Sequence, residues 1–358
     1  MFYRLAGVYR TSYAADRALL KIPADRWLVL FLFLIALAAP FLVSSLYLSG
    51  YLLPWLIWSM AALSLNLLVG WAGQIHLGYA AVMAIGAYGT IHIVRAGVPF
   101  EAAILAGGIL AAAIGLVFGF ASLRVRGLYL AVSTLAMQYV VDWTINHVPA
   151  ISGGSQATLQ APVFRFLGAP IENDISRYYL VLFACIAVAI FLLNVRRTAF
   201  GRALAAVREK DYAAAVLGVN AFYFKLMAFW VSSLLGGMAG ALLAFCYYRA
   251  VTPEQFNLDV SIQLLAMVII GGLASVTGSF AGAALVFFAP IVLNNAAGAV
   301  ADSLGLQISG ELRSHIPLIL YGGLIAGFLL FEPLGLAKIW DNIRNYFLVW
   351  PFRHTRHS

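Results

Sequence analysis

Apolar residues run through this chain in long unbroken stretches, and polar residues gather in the short segments between them. Trp27–Leu48 and Tyr178–Leu193 are two such runs. Neither alternates apolar with polar positions, as half-buried strands or the ~10-residue strands of a membrane barrel would. A helix rises about 1.5 Å per residue, so roughly 20 apolar residues cross ~30 Å of hydrocarbon. In hydrocarbon every backbone N–H and C=O needs a partner within the protein, which leaves helices once a barrel is set aside. The pattern therefore predicts an all-α integral membrane protein with about ten transmembrane helices. They fall near 27–48, 51–69, 74–94, 102–123, 127–148, 178–195, 226–248, 260–273, 278–295 and 315–331. The stretch at 260–273 is short for a crossing and is either a short span or a re-entrant element.

Composition agrees: 63% of the 358 residues are hydrophobic and 10% are charged, too few charges to cover a soluble surface of this size. The net charge of +8 changes the picture only through its placement. With both termini in the cytoplasm, Arg95, Arg165, Arg177, Arg249 and Arg313 lie outside, and the other 17 of the 22 Lys and Arg (22 − 5) lie inside. That asymmetry is the positive-inside pattern, and it assigns the basic charge to an anionic leaflet rather than to nucleic acid. The predicted organisation is a cytoplasmic N-terminal segment over 1–26, a transmembrane domain over 27–335 and a cytoplasmic tail over 336–358. The first apolar run follows mostly polar residues and is long enough to span, so it is expected to stay as the first helix rather than leave as a leader. Cys185 and Cys246 fall inside apolar runs and read as packing residues. Gly115/Gly119, Gly236/Gly240, Gly278/Gly282 and Gly323/Gly327 have the G-x-x-x-G spacing of close helix contacts.

Three stretches differ from lipid-facing helices. Asn66–Tyr88 carries Asn66, Gln74 and His76 among Gly70, Gly73, Gly78 and Gly86. Polar groups at membrane depth face a partner helix or water, so this is either a broken helix beside a pathway or an interhelical hydrogen-bonding cluster. His76 has no second His, Cys or carboxylate at ligand spacing, and no metal is expected. The loop 196–225 reads as a short helix capped by Thr198, rich in Ala205, Ala206, Ala213, Ala214 and Ala215, charged at Arg208–Asp211 and stopped at Gly218. Such a helix docks into a soluble partner or lies on the membrane surface. Thr252–Pro290 has two short apolar elements joined at Gly271-Gly272, like the discontinuous helices of transporters. With Gln138 and Gln263, the residues Asn66, Gln74 and His76 are the polar, membrane-embedded candidates for a translocation pathway.

Absences narrow the function. The chain has no G-x-x-x-x-G-K-[ST] sequence, so it binds no ATP through a Walker loop of its own. The acid nearest to mid-span, Asp142, sits about two turns from its helix end, whereas proton-coupled carriers use buried carboxylate relays. No nucleophile–base pair stands out, so no enzyme activity is expected.

Taken in order, the three stretches resemble the branched-chain amino acid permease family of bacterial ABC importers. The resemblance rests on Gly73-Gln74-x-x-Leu77-Gly78 with Gly86-Ala87-Tyr88, and on Gly201-Arg202-Ala203-Leu204 with Ala206-x-Arg208-Glu209 and Ala214-x-x-x-Gly218-Val219-Asn220. It continues with Pro253, Phe256, Ser261-Ile262, Gly271-Gly272-Leu273, Gly278 and Gly282-Ala283. It covers roughly 45–335 and looks most like the larger of two permease subunits. The resemblance implies a coupling helix in the cytoplasmic loop, with Arg202, Ala206, Arg208, Glu209, Ala214 and Gly218 at an ATPase contact. It also implies helix breaks and packing at Gly73, Gly78, Gly271, Gly272, Gly278 and Gly282. The implied partners are a homologous second permease, two ATP-binding subunits and a periplasmic binding protein, in a bacterial inner membrane. ATP and Mg²⁺ would sit on those ATPases and no cofactor in this chain. Leucine, isoleucine and valine are the implied cargo. Urea or short amides carried by the same machinery form the alternative, and a stand-alone channel or ion-coupled carrier is the alternative of another class. One departure falls at Ala157, where many members carry glycine.

Overall fold

A computed structural model describes residues 23–122, 128–154, 158–303 and 335–349, with isolated positions between 319 and 330. Much of the predicted tenth span, most of the N-terminal segment, the end of the C-terminal tail and Ala157 lie outside those residues.

The described chain is helical, as the apolar runs predict. Helix α1 is Pro23–Leu42 and α2 is Ser45–Trp71. α3 is Tyr79–Arg95, α4 Phe100–Ser122, α5 Leu128–His147 and α6 Asp174–Arg197. The loop helices are α7 Ala199–Glu209 and α8 Asp211–Val216, and α9 is Ala221–Tyr248. α10 is Leu258–Gly271, α11 Val276–Ser303 and α12 Leu336–Val349. Five of these, α2, α4, α6, α9 and α11, hold windows long and apolar enough to cross a membrane.

Several boundaries move from their predicted places. The first break falls at Val43–Ser44 rather than near residue 50, so α2 starts six residues earlier than the pattern suggests. α1 carries Pro40, whose missing N–H leaves the Ala36 carbonyl without its helical donor. The Tyr178 hydroxyl donates to that oxygen at 2.9 Å, and Tyr179 donates to Leu37 O at 2.8 Å, which fixes α6 against α1. The predicted third span loses its first turn, because residues 72–78 are not helical and α3 starts at Tyr79. The loop 196–225 holds two helices instead of one, divided at the extended Lys210.

α2 is the axis of the bundle: every residue from Leu56 to Ala72 is buried, as befits a helix that is apolar all round. α3, α4 and α9 form a tight cluster beside it. Their backbones approach where side chains are missing, since a Cβ on Gly86 would strike Gly237 O and one on Gly240 would strike Met83 O. Gly115 and Gly119 meet Ser233 and Phe229, and Gly236 meets the Tyr79 ring. Three of the four G-x-x-x-G pairs thus lie at helix seams. Among the described residues, nothing lies within 4 Å of a Cβ placed on Gly323 or Gly327.

Short strands appear that hydrophobic patterning does not show. β1 (Leu159–Gln160) pairs antiparallel with β4 (Ala250–Val251), and β2 (Arg165–Phe166) with β3 (Ala169–Pro170). Arg95 donates to Gln160 O at 2.8 Å, and Asp174 pairs with both Arg177 and Arg249 at 3.2 and 3.1 Å. Three of the five predicted outer arginines therefore share one end of the bundle. The loop helices α7 and α8 lie at the opposite end, where Lys225 pairs with Asp211 at 2.7 Å.

Candidate functional site

The site builds on two places where helices stop inside the bundle. α2 ends in a widened turn at Leu67–Trp71, and Gly73 takes φ +67 so that Gln74 N can bond back to Leu68 O at 3.1 Å. Glycine tolerates that left-handed geometry, and the bond is the usual way of satisfying an orphan carbonyl at a helix end. The chain then crosses 74–78 unwound and re-enters helix at Tyr79. The N–H groups that open this stretch and helix are met by side chains from three directions. Leu77 N donates to Thr134 Oγ1 at 3.0 Å, Gly78 N to His76 Nδ1 at 3.2 Å, Ala80 N to Ser261 Oγ at 2.8 Å and Ala81 N to Gln138 Oε1 at 2.9 Å. Gln138 Nε2 also donates to Phe256 O at 2.7 Å, so one amide joins α3, α5 and the approach to α10.

The second break is the turn between α10 and α11. Gly272 takes φ +114 there, and Asn66 holds the turn from α2. Asn66 Nδ2 donates to Ser275 O at 3.0 Å and Ser279 Oγ at 2.8 Å, while Ala274 N donates to Asn66 Oδ1 at 2.9 Å. Trp71 Nε1 adds a bond to Ala274 O at 3.2 Å. A Cβ on Gly271, Gly278 or Gly282 would strike the facing backbone, so α10 and α11 touch directly. α10 has 14 residues, only about 21 Å at ~1.5 Å per residue. Thr252 follows β4 at the Arg249 end, and Ala274 sits beside the far end of α2. The segment consequently runs from end to end, as an unwound lead containing the turn Pro253–Phe256 followed by a short helix.

The five predicted pathway residues part company. Asn66 and Gln138 are consumed in the two breaks. Gln74 and His76 are buried, and Gln74 Oε1 and His76 Nε2 have no hydrogen-bond partner. His76 packs edge-on to Tyr79, with ring centroids 5.5 Å apart. Gln263 is exposed on α10 beside Ile262. Gly78 lies against Thr134 O. Sequence reasoning missed Ser64, Tyr79 and Ser232, although the Tyr79 hydroxyl lies 2.7 Å from Ser64 Oγ and 2.8 Å from Ser232 O. Single serines and tyrosines in apolar helices give no periodic signal, so only contact reveals them.

The predicted coupling residues divide too. Thr198 caps α7, its Oγ1 accepting from Gly201 N at 3.3 Å. Arg202 and Glu209 are exposed, Ala206 is half-buried and Ala214 is buried. Gly218 follows α8 with φ +81. Arg208 turns toward the bundle: its Nη1 donates to Gly70 O, and a Cβ on Gly73 would lie 3.1 Å from its Cγ. The loop is therefore bonded to the break in α2. Val216 and Leu217 are 87% and 80% exposed beside it, an apolar face at the same end. Among the described residues no group of three or more His, Cys, Asp or Glu gathers as a metal site.

A bundle of apolar helices, with two interior helix breaks and a loop tied to one of them, is the architecture of a membrane transport permease. The family described as the permease component of branched-chain amino acid transport systems matches residues 47–331, and the chain belongs to it. It is 30% identical to the high-affinity branched-chain amino acid permease LivM of Escherichia coli K12, over 86% of this chain and 74% of that one. It is also 25% identical to a probable branched-chain amino acid permease LivH of Methanocaldococcus jannaschii, over 60% of this chain and 66% of the other. The L-arabinose ABC transporter permease AraH of Azospirillum brasilense is 27% identical over 64% and 63%. No solved structure matches.

Proposed function

We propose that this chain is the non-catalytic, LivM-like permease subunit of an ATP-driven importer. It takes leucine, isoleucine and valine from a periplasmic binding protein across a bacterial inner membrane. A homologous second permease completes the pathway, and two ATPase subunits seat the loop helices. The orientation follows from charge: the Arg249 end faces outward and the α7–α8 end the cytoplasm.

The observation that carries the proposal is the bond from Arg208 to Gly70 O, beside Gly73. Exposed Arg202, Glu209, Val216 and Leu217 offer a docking face on the side of the loop away from the bundle. ATP binding that draws two ATPases together moves that face, and Arg208 passes the displacement to the end of α2. α2 is buried and stiff, whereas the unwound 72–78 and the turn at Gly272 can absorb changes in φ and ψ. This is rigid-body gating through two hinge points, driven by the different contacts the ATPases make with and without nucleotide.

The test is leucine uptake by cells with and without this chain, and by cells carrying Arg202→Ala with Glu209→Ala. Deletion should abolish uptake that isoleucine, but not urea, competes for, and the double variant should lower it at least tenfold. Uptake of urea or a short amide in place of leucine would transfer the cargo to that class. A double variant that transports normally would point instead to a channel or carrier working without ATPases.

A further inference from the structure

α3 is bonded to α5 at one level and to the turn that follows α5 at a higher one, and the seam between them is open. At the lower level Ala81 N and Phe256 O share Gln138. At the upper level, toward the Arg249 end, His92 Nε2 lies 2.7 Å from Ile151 O. Tyr88 stands one helical turn before His92 and two after Ala81, and Asp142 stands one turn beyond Gln138 on the same stripe of α5. Tyr88 is buried, and its hydroxyl has no hydrogen-bond partner. Asp142 is half-buried, and its carboxylate accepts one side-chain bond, from Asn146 Nδ2 at 3.2 Å. No Lys, Arg or His among the described residues pairs with it. A carboxylate inside a span, about two turns from its outer end, is costly to keep without a counter-ion, and such groups mark the paths of charged cargo.

We infer that Tyr88 and Asp142, with Asn146 orienting the carboxylate, form a subsite for the primary ammonium of the transported amino acid, on the outward side of the Gln138–Phe256 contact. This rests on the amino-acid cargo proposed above. An ammonium has three donors and no acceptor, and the seam offers it a charged carboxylate and a phenolic oxygen. A single charged partner suits a conduit, since a passage site must bind well enough to admit its cargo and weakly enough to release it. The first turn of α3 is no comparable site for the substrate carboxylate, because Ser261 and Gln138 already occupy the Ala80 and Ala81 N–H groups.

The experiment uses the whole complex, with second permease, ATPases and binding protein, reconstituted in vesicles and assayed with labelled leucine and labelled urea. Asp142→Asn should lower leucine uptake at least tenfold, Asp142→Glu should restore it to within threefold of the native rate, and Tyr88→Phe should lower it three- to tenfold. Each is compared at equal amounts of assembled complex. Tyr88→Phe removes only an unpartnered hydroxyl, so it decides the matter if Asp142→Asn does not assemble. Leucine uptake that both Asp142→Asn and Tyr88→Phe leave within twofold overturns the subsite alone. An Asp142→Glu complex as inactive as Asp142→Asn also overturns it. A native complex that imports urea but no leucine overturns the cargo first, and the ammonium subsite with it.

Discussion

At the scale of single residues, the two amides that looked most like pathway groups act as the joints of the fold. Gln138→Leu keeps the volume but leaves Ala81 N–H and Phe256 C=O buried without partners. A buried group stranded in this way costs about 1–3 kcal/mol, so the purified protein should melt several degrees lower. Asn66→Ala strands Ala274 N–H and leaves the Ser279 hydroxyl oxygen without its donor, and a similar drop is expected in the same assay. Arg208 belongs to a different kind of residue. It is exposed apart from its contact with Gly70 and Gly73, so Arg208→Ala should leave the melting temperature nearly unchanged while lowering leucine uptake at least fivefold. Equal uptake by the variant would show that motion reaches the bundle by another route.

At the scale of elements, the decisive features are places where helices touch without side chains between them. Gly282 faces Met267 O so closely that an added Cβ must push α10 and α11 apart. Overpacking of this kind costs about 1–3 kcal/mol, and Gly282→Ala should lower the melting temperature. Gly50→Ala is the control, because nothing lies within 4 Å of a Cβ there and the change should be neutral. The G-x-x-x-G spacing made Gly282 visible in the sequence, but the same spacing at Gly323 and Gly327 meets nothing within 4 Å among the described residues. Spacing shows that a close approach is permitted, and only the partner helix decides whether it occurs.

At the scale of the whole molecule, the two ends differ in charge and in kind of surface. In a background lacking Cys185 and Cys246, a single cysteine at Leu217 should react with an impermeant thiol reagent only from the cytoplasmic side, and one at Leu167 only from the outside. Leu217 and Leu167 are 80% and 82% exposed in this chain, so in membranes freed of the ATPases that seat on the loop, access to the reagent is limited by the membrane alone. In the native protein both cysteines are buried, at 1% and 3% exposure, and labelling should appear only on denaturation.

The sequence by itself determined the class of protein, because unbroken apolar runs about 20 residues long have few stable solutions in lipid. It also determined the Thr198 cap, the Gly218 stop and the Gly271-Gly272 joint, since each rests on local backbone chemistry, whereas near Gly73 it left a broken helix and an interhelical hydrogen-bonding cluster both open. Tertiary structure decided what the polar residues do. Whether Gln138 lines a path or caps a helix depends on Ala81 and Phe256, which lie far from it in sequence and meet it only when α3, α5 and α10 converge. Arg208 reads as one charge in a charged run until α2 ends beside it with a free carbonyl at Gly70. The division of the loop at Lys210 and the two-residue strands are likewise set by what each segment packs against, and no local pattern records that.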